Sequence, residues 1–150
     1  MKYTKIAYLV VMVLLQRATF AQASYNKSEI NQIEETLKHY IEGTANGQPE
    51  RLKKAFHPDF NLYSVVKDTL RVWKGQDYSS NIKEGEKTNR IGRILFIDIE
   101  NDAAIAKVEI LMPERQRIYT DYFLLLKYQG TWKIIHKSFA WRALSKIDKK

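Results

Sequence analysis

Two long alternating runs, Ile118 to Tyr128 and Thr131 to Trp141, are separated by only Gln129-Gly130. A two-residue loop ending in glycine leaves no room for a crossover, so the runs must pair as an antiparallel hairpin. Ile94 to Glu100 and Ala104 to Met112, joined at Asn101-Asp102, extend the pattern upstream, and Pro113-Glu114 interrupts it. Everything after Asn89 therefore reads as a β-meander. The earlier part of the chain reads differently. Ile30, Ile33, Leu37 and Ile41 recur at spacings of three and four, one stripe of a helix, which Asn26 or Ser28 can cap and which Gly43 and Gly47 end. Pro49 suits the first turn of a short second helix carrying Leu52, Ala55 and Phe56, with His57-Pro58 as its stop. Phe60 to Val66 and Leu70 to Trp73 read as a hairpin around Lys67-Asp68-Thr69, and Asp77 can cap another short helix. Helices first and a long antiparallel run afterwards make an α+β domain with helices on one face of a sheet.

The first residues follow another logic. Lys2 and Lys5 precede ten residues, Ile6 to Leu15, without charge, and a small-residue stretch from Ala18 to Ser24 follows. A positive head, a short apolar middle and a small-residue cleavage region describe a signal peptide over residues 1–23, cut after Ala21 or Ala23. A spanning helix needs about 20 apolar residues, so no stable membrane anchor is expected after cleavage. The expected layout is a signal peptide, one domain over 24–145 and a basic tail over 146–150. The expected location is a bacterial periplasm or exterior.

Charge and composition exclude several functions. Three of the eight net positive charges sit in the first 23 residues, leaving a mildly basic body of +5 with scattered lysines and arginines, which gives no nucleic-acid footprint. There is no cysteine, hence no disulfide, thiolate metal site or cysteine nucleophile. No paired-histidine metal motif, glycine-rich nucleotide loop or serine elbow occurs, so neither metal nor cofactor is expected.

The hairpin register sorts the candidate site residues. With Tyr128 opposite Thr131, alternation puts Asp121, Phe123, Leu125, Trp132, Ile134, His136 and Ser138 on one face, and Tyr122, Leu124, Leu126, Lys133, Ile135, Lys137 and Phe139 on the other. The first face, with a Trp, a Phe and a few polar groups, is the better candidate for the covered side. The apolar residues of the second suggest a homodimer through the outer sheet face. A one-residue slip would exchange the faces.

The segments Phe56-His-Pro-Asp-Phe-Asn-Leu-Tyr63 and Thr120-Asp-Tyr-Phe-Leu-Leu-Leu-Lys-Tyr-Gln-Gly-Thr-Trp-Lys-Ile-Ile-His-Lys137, behind a leading amphipathic helix, resemble the nuclear-transport-factor-2-like superfamily. Within it they resemble the lumazine-binding and polyketide-cyclase-like bacterial branch. The likeness runs from about Ser28 to Trp141. It implies a cone-shaped, bent antiparallel sheet wrapped round amino-terminal helices, of the cystatin-like kind, with a pocket at its open end. It implies no single activity, because the superfamily holds isomerases, dehydratases, cyclases, binding proteins and dimerisation modules.

His57 is a candidate acid/base by its ordinary pKa near 6.5, and otherwise a helix-end hydrogen bonder. Asp121 on the covered face needs a partner or a raised pKa. His136 would meet it diagonally if the register is regular, making an acid–base pair. Phe56, Phe60, Tyr63, Trp73, Tyr78, Phe123 and Trp132 are either core or pocket lining. The leading expectation is an exported pocket protein for a small apolar or aromatic molecule. One alternative is a cofactor-independent isomerase, dehydratase or cyclase using Asp121 or His57. The other is an interaction module whose cavity is filled by its own aromatics.

Overall fold

The computed structural model describes residues 27–145. Two compact units divide between Asn31 and Gln32. The first contributes only residues 27–31, the opening turn of a helix, to the described part. The expected signal peptide, the cap at Asn26 and the basic tail lie outside the described residues.

Helix α1 covers residues 27–45. From Gln32 onward its buried positions are Ile33, Thr36, Leu37, Tyr40, Gly43 and Thr44. The stripe is thus rotated from the expected one: Ile41 lies at its flank and Tyr40 at its centre. Ile33 and Leu37 are fully buried, and truncating either to Ala should cost about 2–5 kcal/mol. The two buried threonine hydroxyls remain satisfied by donating to carbonyls: Thr36 to Gln32 and Trp132, Thr44 to Tyr40 and Ile41.

Helix α2, Pro49–Ala55, starts on its proline as expected and ends at Ala55. Phe56 is already extended, and strand β1 runs Phe56–Val66. His57-Pro58 therefore does not end the helix but opens the strand. A residue before proline is pushed out of the helical region, and Pro58 falls in the irregular stretch of β1 between Phe56 and Asn61, where no ladder bond is lost. Strand β2 is Thr69–Lys74, and helix α3 is Gly75–Ser80. The meander follows as β3, Ile91–Glu100, β4, Ala103–Met112, a 3-10 turn at Pro113–Arg115, β5, Arg117–Tyr128, and β6, Thr131–Ala143.

The six strands form one open sheet in the order β2-β1-β6-β5-β4-β3. All neighbours are antiparallel except β1 and β6, which run parallel. Lys67 and Asp68 both take positive φ, as do Gln129 and Gly130, which is the two-residue hairpin geometry whose twist matches the strands. Register shifts in the β1–β6, β3–β4 and β5–β6 ladders bend the sheet. The concave face is a regular row on β4 (Ala104, Ala106, Val108, Ile110, Met112) facing Leu125, Phe123, Asp121 and Tyr119 of β5. Gly92 on β3 permits the helix to close on the sheet: a side chain there would meet Ile41 at 2.5 Å.

The bulge in the last hairpin changes the faces. Tyr128 pairs with Thr131 and Lys127 with Trp132, as the turn dictates. Between Leu124 and Leu125 the ladder then skips a residue, with Leu124 opposite His136 but Leu125 opposite Ile134. Ile135 is the extra residue. Beyond it, alternation on β6 is inverted, so Lys137 is buried and Phe139 packs on the core, while His136 and Ser138 take the outer side.

Candidate functional site

A cavity of about 320 Å³ opens on the concave side, a size suited to a small ligand. Its polar groups come from six places in the chain: Tyr40 on α1, Tyr78 on α3, Arg90 just before β3, Arg115 of the 3-10 turn, Asp121 on β5 and Lys137 on β6. Its apolar wall is Leu62, Trp73, Ile110, Met112, Tyr119 and Phe139.

Asp121 is at the centre and is 1% exposed. The Tyr40 hydroxyl donates to its Oδ2 at 2.6 Å, and Lys137 Nζ donates to the same oxygen at 3.4 Å and to the Tyr40 oxygen at 3.1 Å. Lys137 is itself 5% exposed. The ammonium also lies 5.0 to 5.3 Å from the rings of Tyr40, Tyr78 and Phe139, within cation–π range. Burial, and then the Asp121 charge, push the Tyr40 pKa well above the ordinary 10.0, so the hydroxyl remains a donor. Arg90 Nη2 reaches Met112 Sδ at 3.6 Å, and Arg90 Nε is buried without a partner among the described residues.

Asp121 is thus buried and hydrogen-bonded on the covered face, but its partners are Tyr40 and Lys137 rather than His136 or Ser138. The bulge at Ile135 is the physical reason. His136 stacks on Tyr63 on the outer side, centroids 4.6 Å apart, and the diagonal acid–base pair does not form. His57 stands elsewhere. Its Nδ1 accepts from the Asp59 amide at 3.2 Å, its ring meets Tyr128 edge-on, and with Phe56 and Phe60 it lines a separate groove of about 350 Å³. Of the aromatic candidates, Trp73 and Tyr78 line the central cavity. Phe56 and Phe60 stack on each other, while Phe123 and Trp132 are core. Phe60, Phe123 and Trp132, the side chains able to plug the cavity, leave it open.

Sequence reasoning missed Tyr40, Arg90 and Lys137. Tyr40 had a signal, because Ile33, Leu37, Tyr40 and Thr44 share one helical face. Lys137 had none, since only the bulge turns it inward. Arg90 follows a polar loop and resembles any charge ahead of a strand.

Residues 28–140 match the family described as Putative lumazine-binding. The chain is 29% identical over 115 residues to Aldolase FrzH of a Cladobotryum species, a match that takes in 75% of this chain and 90% of that one. A solved nuclear-transport-factor-2-like protein of unknown function from Methylobacillus flagellatus is 31% identical, covering 77% of this chain and 94% of its own, with a TM-score of 0.67. A similar one from Shewanella baltica is 25% identical over the same shares, with a TM-score of 0.65. The chain belongs to the Putative lumazine-binding family of the nuclear-transport-factor-2-like superfamily.

Proposed function

We propose that the protein binds a small, largely apolar molecule in the central cavity. The observation that supports this best is the open volume of about 320 Å³ with an apolar wall and a compact polar cluster at Asp121, Tyr40 and Lys137. Shape and apolar surface would give affinity, and the few fixed polar groups would orient the ligand. Calorimetry with 3-phenylpropionamide tests it, using Phe139→Trp to fill the space. Binding in the wild type that the larger ring abolishes supports the reading. Binding that survives the filled cavity contradicts it.

A second reading has an observation of its own. Asp121 lies in the same cavity as two hydrogen-bond donors, Tyr40 and Lys137, and one relative is named an aldolase. In this reading the carboxylate takes a proton from the carbon next to a ligand carbonyl. The C–H electrons pass into the enolate, whose oxygen accepts from Tyr40 or Lys137. No cofactor is needed. Of the two acid/base candidates, Asp121 shares the cavity and His57 does not. Deuterium exchange at that carbon in heavy water, lost in Asp121→Asn, is the expected signature. Equal exchange in both proteins would reject this reading.

Two further proposals concern setting rather than chemistry. The protein is exported by its first 23 residues. It pairs with a second copy through the outer sheet face, where Phe96, Ile105, Tyr122, Leu124 and Leu126 are all exposed.

A further inference from the structure

We infer that the ligand is a small monocarboxylate, its apolar body between Trp73, Tyr119 and Phe139 and its carboxylate held by Arg90 and Arg115. This rests on the pocket reading above and names the ligand class for that same cavity.

The charge count points this way. Three cations, Arg90, Arg115 and Lys137, line the cavity against one carboxylate, Asp121. Asp121 is already engaged by Lys137 and Tyr40. Neither arginine has a carboxylate within ion-pair distance among the described residues. Among the described residues the cavity lining thus carries two more positive than negative side chains.

Arg90 carries the stronger observation. Its Nη2 contacts a thioether, a weak acceptor. Tyr78 supplies the guanidinium with a side-chain hydrogen bond, yet Arg90 Nε is the one buried side-chain nitrogen or oxygen without a partner among the described residues. Burying a donor with no acceptor costs free energy, and such an atom asks for an explanation. A guanidinium is a rigid fork matched to a carboxylate. An anion at this end of the cavity would balance the charge and supply acceptors where the protein supplies few. A neutral ligand would leave both arginines as they are. Arg115, exposed on the 3-10 turn after Met112, stands on the same wall and can share the anion.

Calorimetry with 3-phenylpropionate against 3-phenylpropionamide separates charge from shape. The carboxylate should bind about tenfold more tightly or better, the equivalent of one charge-assisted contact. Arg90→Gln should bring it to the level of the amide and leave the amide unchanged. Arg115→Gln, at an exposed position, should remove part of the difference and serves as the second variant if Arg90→Gln does not fold. Added salt should weaken the carboxylate alone. Equal binding of the two compounds overturns this inference and leaves the pocket reading standing. A preference that survives both substitutions also overturns it. Binding of neither compound overturns both readings.

Discussion

The Tyr40 hydroxyl on the first helix donates a 2.6 Å hydrogen bond to Asp121 Oδ2 on β5, 81 residues away in the chain. Lys137 joins both from the neighbouring strand. Two of these ties fasten helix to sheet and the third joins β5 to β6 at the wall of the cavity, so the same contacts serve stability and site geometry. Their energies follow from burial. A buried ion pair adds little over a well-packed apolar pair, but removing one partner strands the other charge.

Asp121→Asn should therefore destabilise the protein by about 3–5 kcal/mol, since Lys137 is left buried without its counter-charge. Lys137→Met should cost a similar amount. The double variant should regain most of the loss, because neither charge remains. Urea midpoints of the four proteins decide this. A wild-type midpoint in Asp121→Asn, or additive losses in the double variant, would contradict it.

His39 gives a pH prediction. Burial, with help from Arg51 and Lys54 and against the pull of Glu35, lowers its pKa from 6.5. Arg51 Nε donates to its Nδ1 at 3.1 Å, which requires the lone pair of a neutral ring. The folded pKa is below the unfolded one, so the contribution is fully present above about pH 6.5 and is lost as pH falls through the folded value. The wild type should lose more stability than His39→Gln between pH 7.5 and pH 5. A difference between the two that does not change with pH would contradict this.

Much of the fold was legible because the signals were local. The two-residue turn at Gln129-Gly130, the hairpin around Lys67-Asp68-Thr69, which the structure tightens to Lys67-Asp68, the proline at the start of α2 and the breaker at Pro113 each act within a few residues. The site was legible only in part. Asp121 falls on the buried row because β5 alternates strictly from Leu126 back to Asp121. The β6 assignments beyond Ile135 reversed because a bulge shows no composition signal in an apolar strand. Phe139 and Lys137 moved inward, and His136 moved out to stack on Tyr63. Arg90 could not be read either, since its role depends on an enclosure built by distant elements.

The outer face carries the oligomer prediction. Leu124 and Ile105 pair across β5 and β4 with Tyr122 and Leu126 beside them, all exposed, and a contiguous apolar patch of this kind marks an interface. Light scattering should give twice the monomer mass, and Leu124→Glu should halve it. A wild-type monomer would contradict the pairing.

Export is checked at the amino terminus. Protein recovered from an exporting bacterial host should begin at Gln22 or Ser24, as read by amino-terminal sequencing. An intact Met1 would contradict cleavage.

A crystal structure of the protein with 3-phenylpropionate tests the ligand site most directly. The expected result is a ring between Trp73 and Phe139 with its carboxylate toward Arg90, beside an unchanged Tyr40–Asp121 bond. A ligand found in the groove of Phe56 and His57, or on the outer face with the central cavity empty, would contradict it.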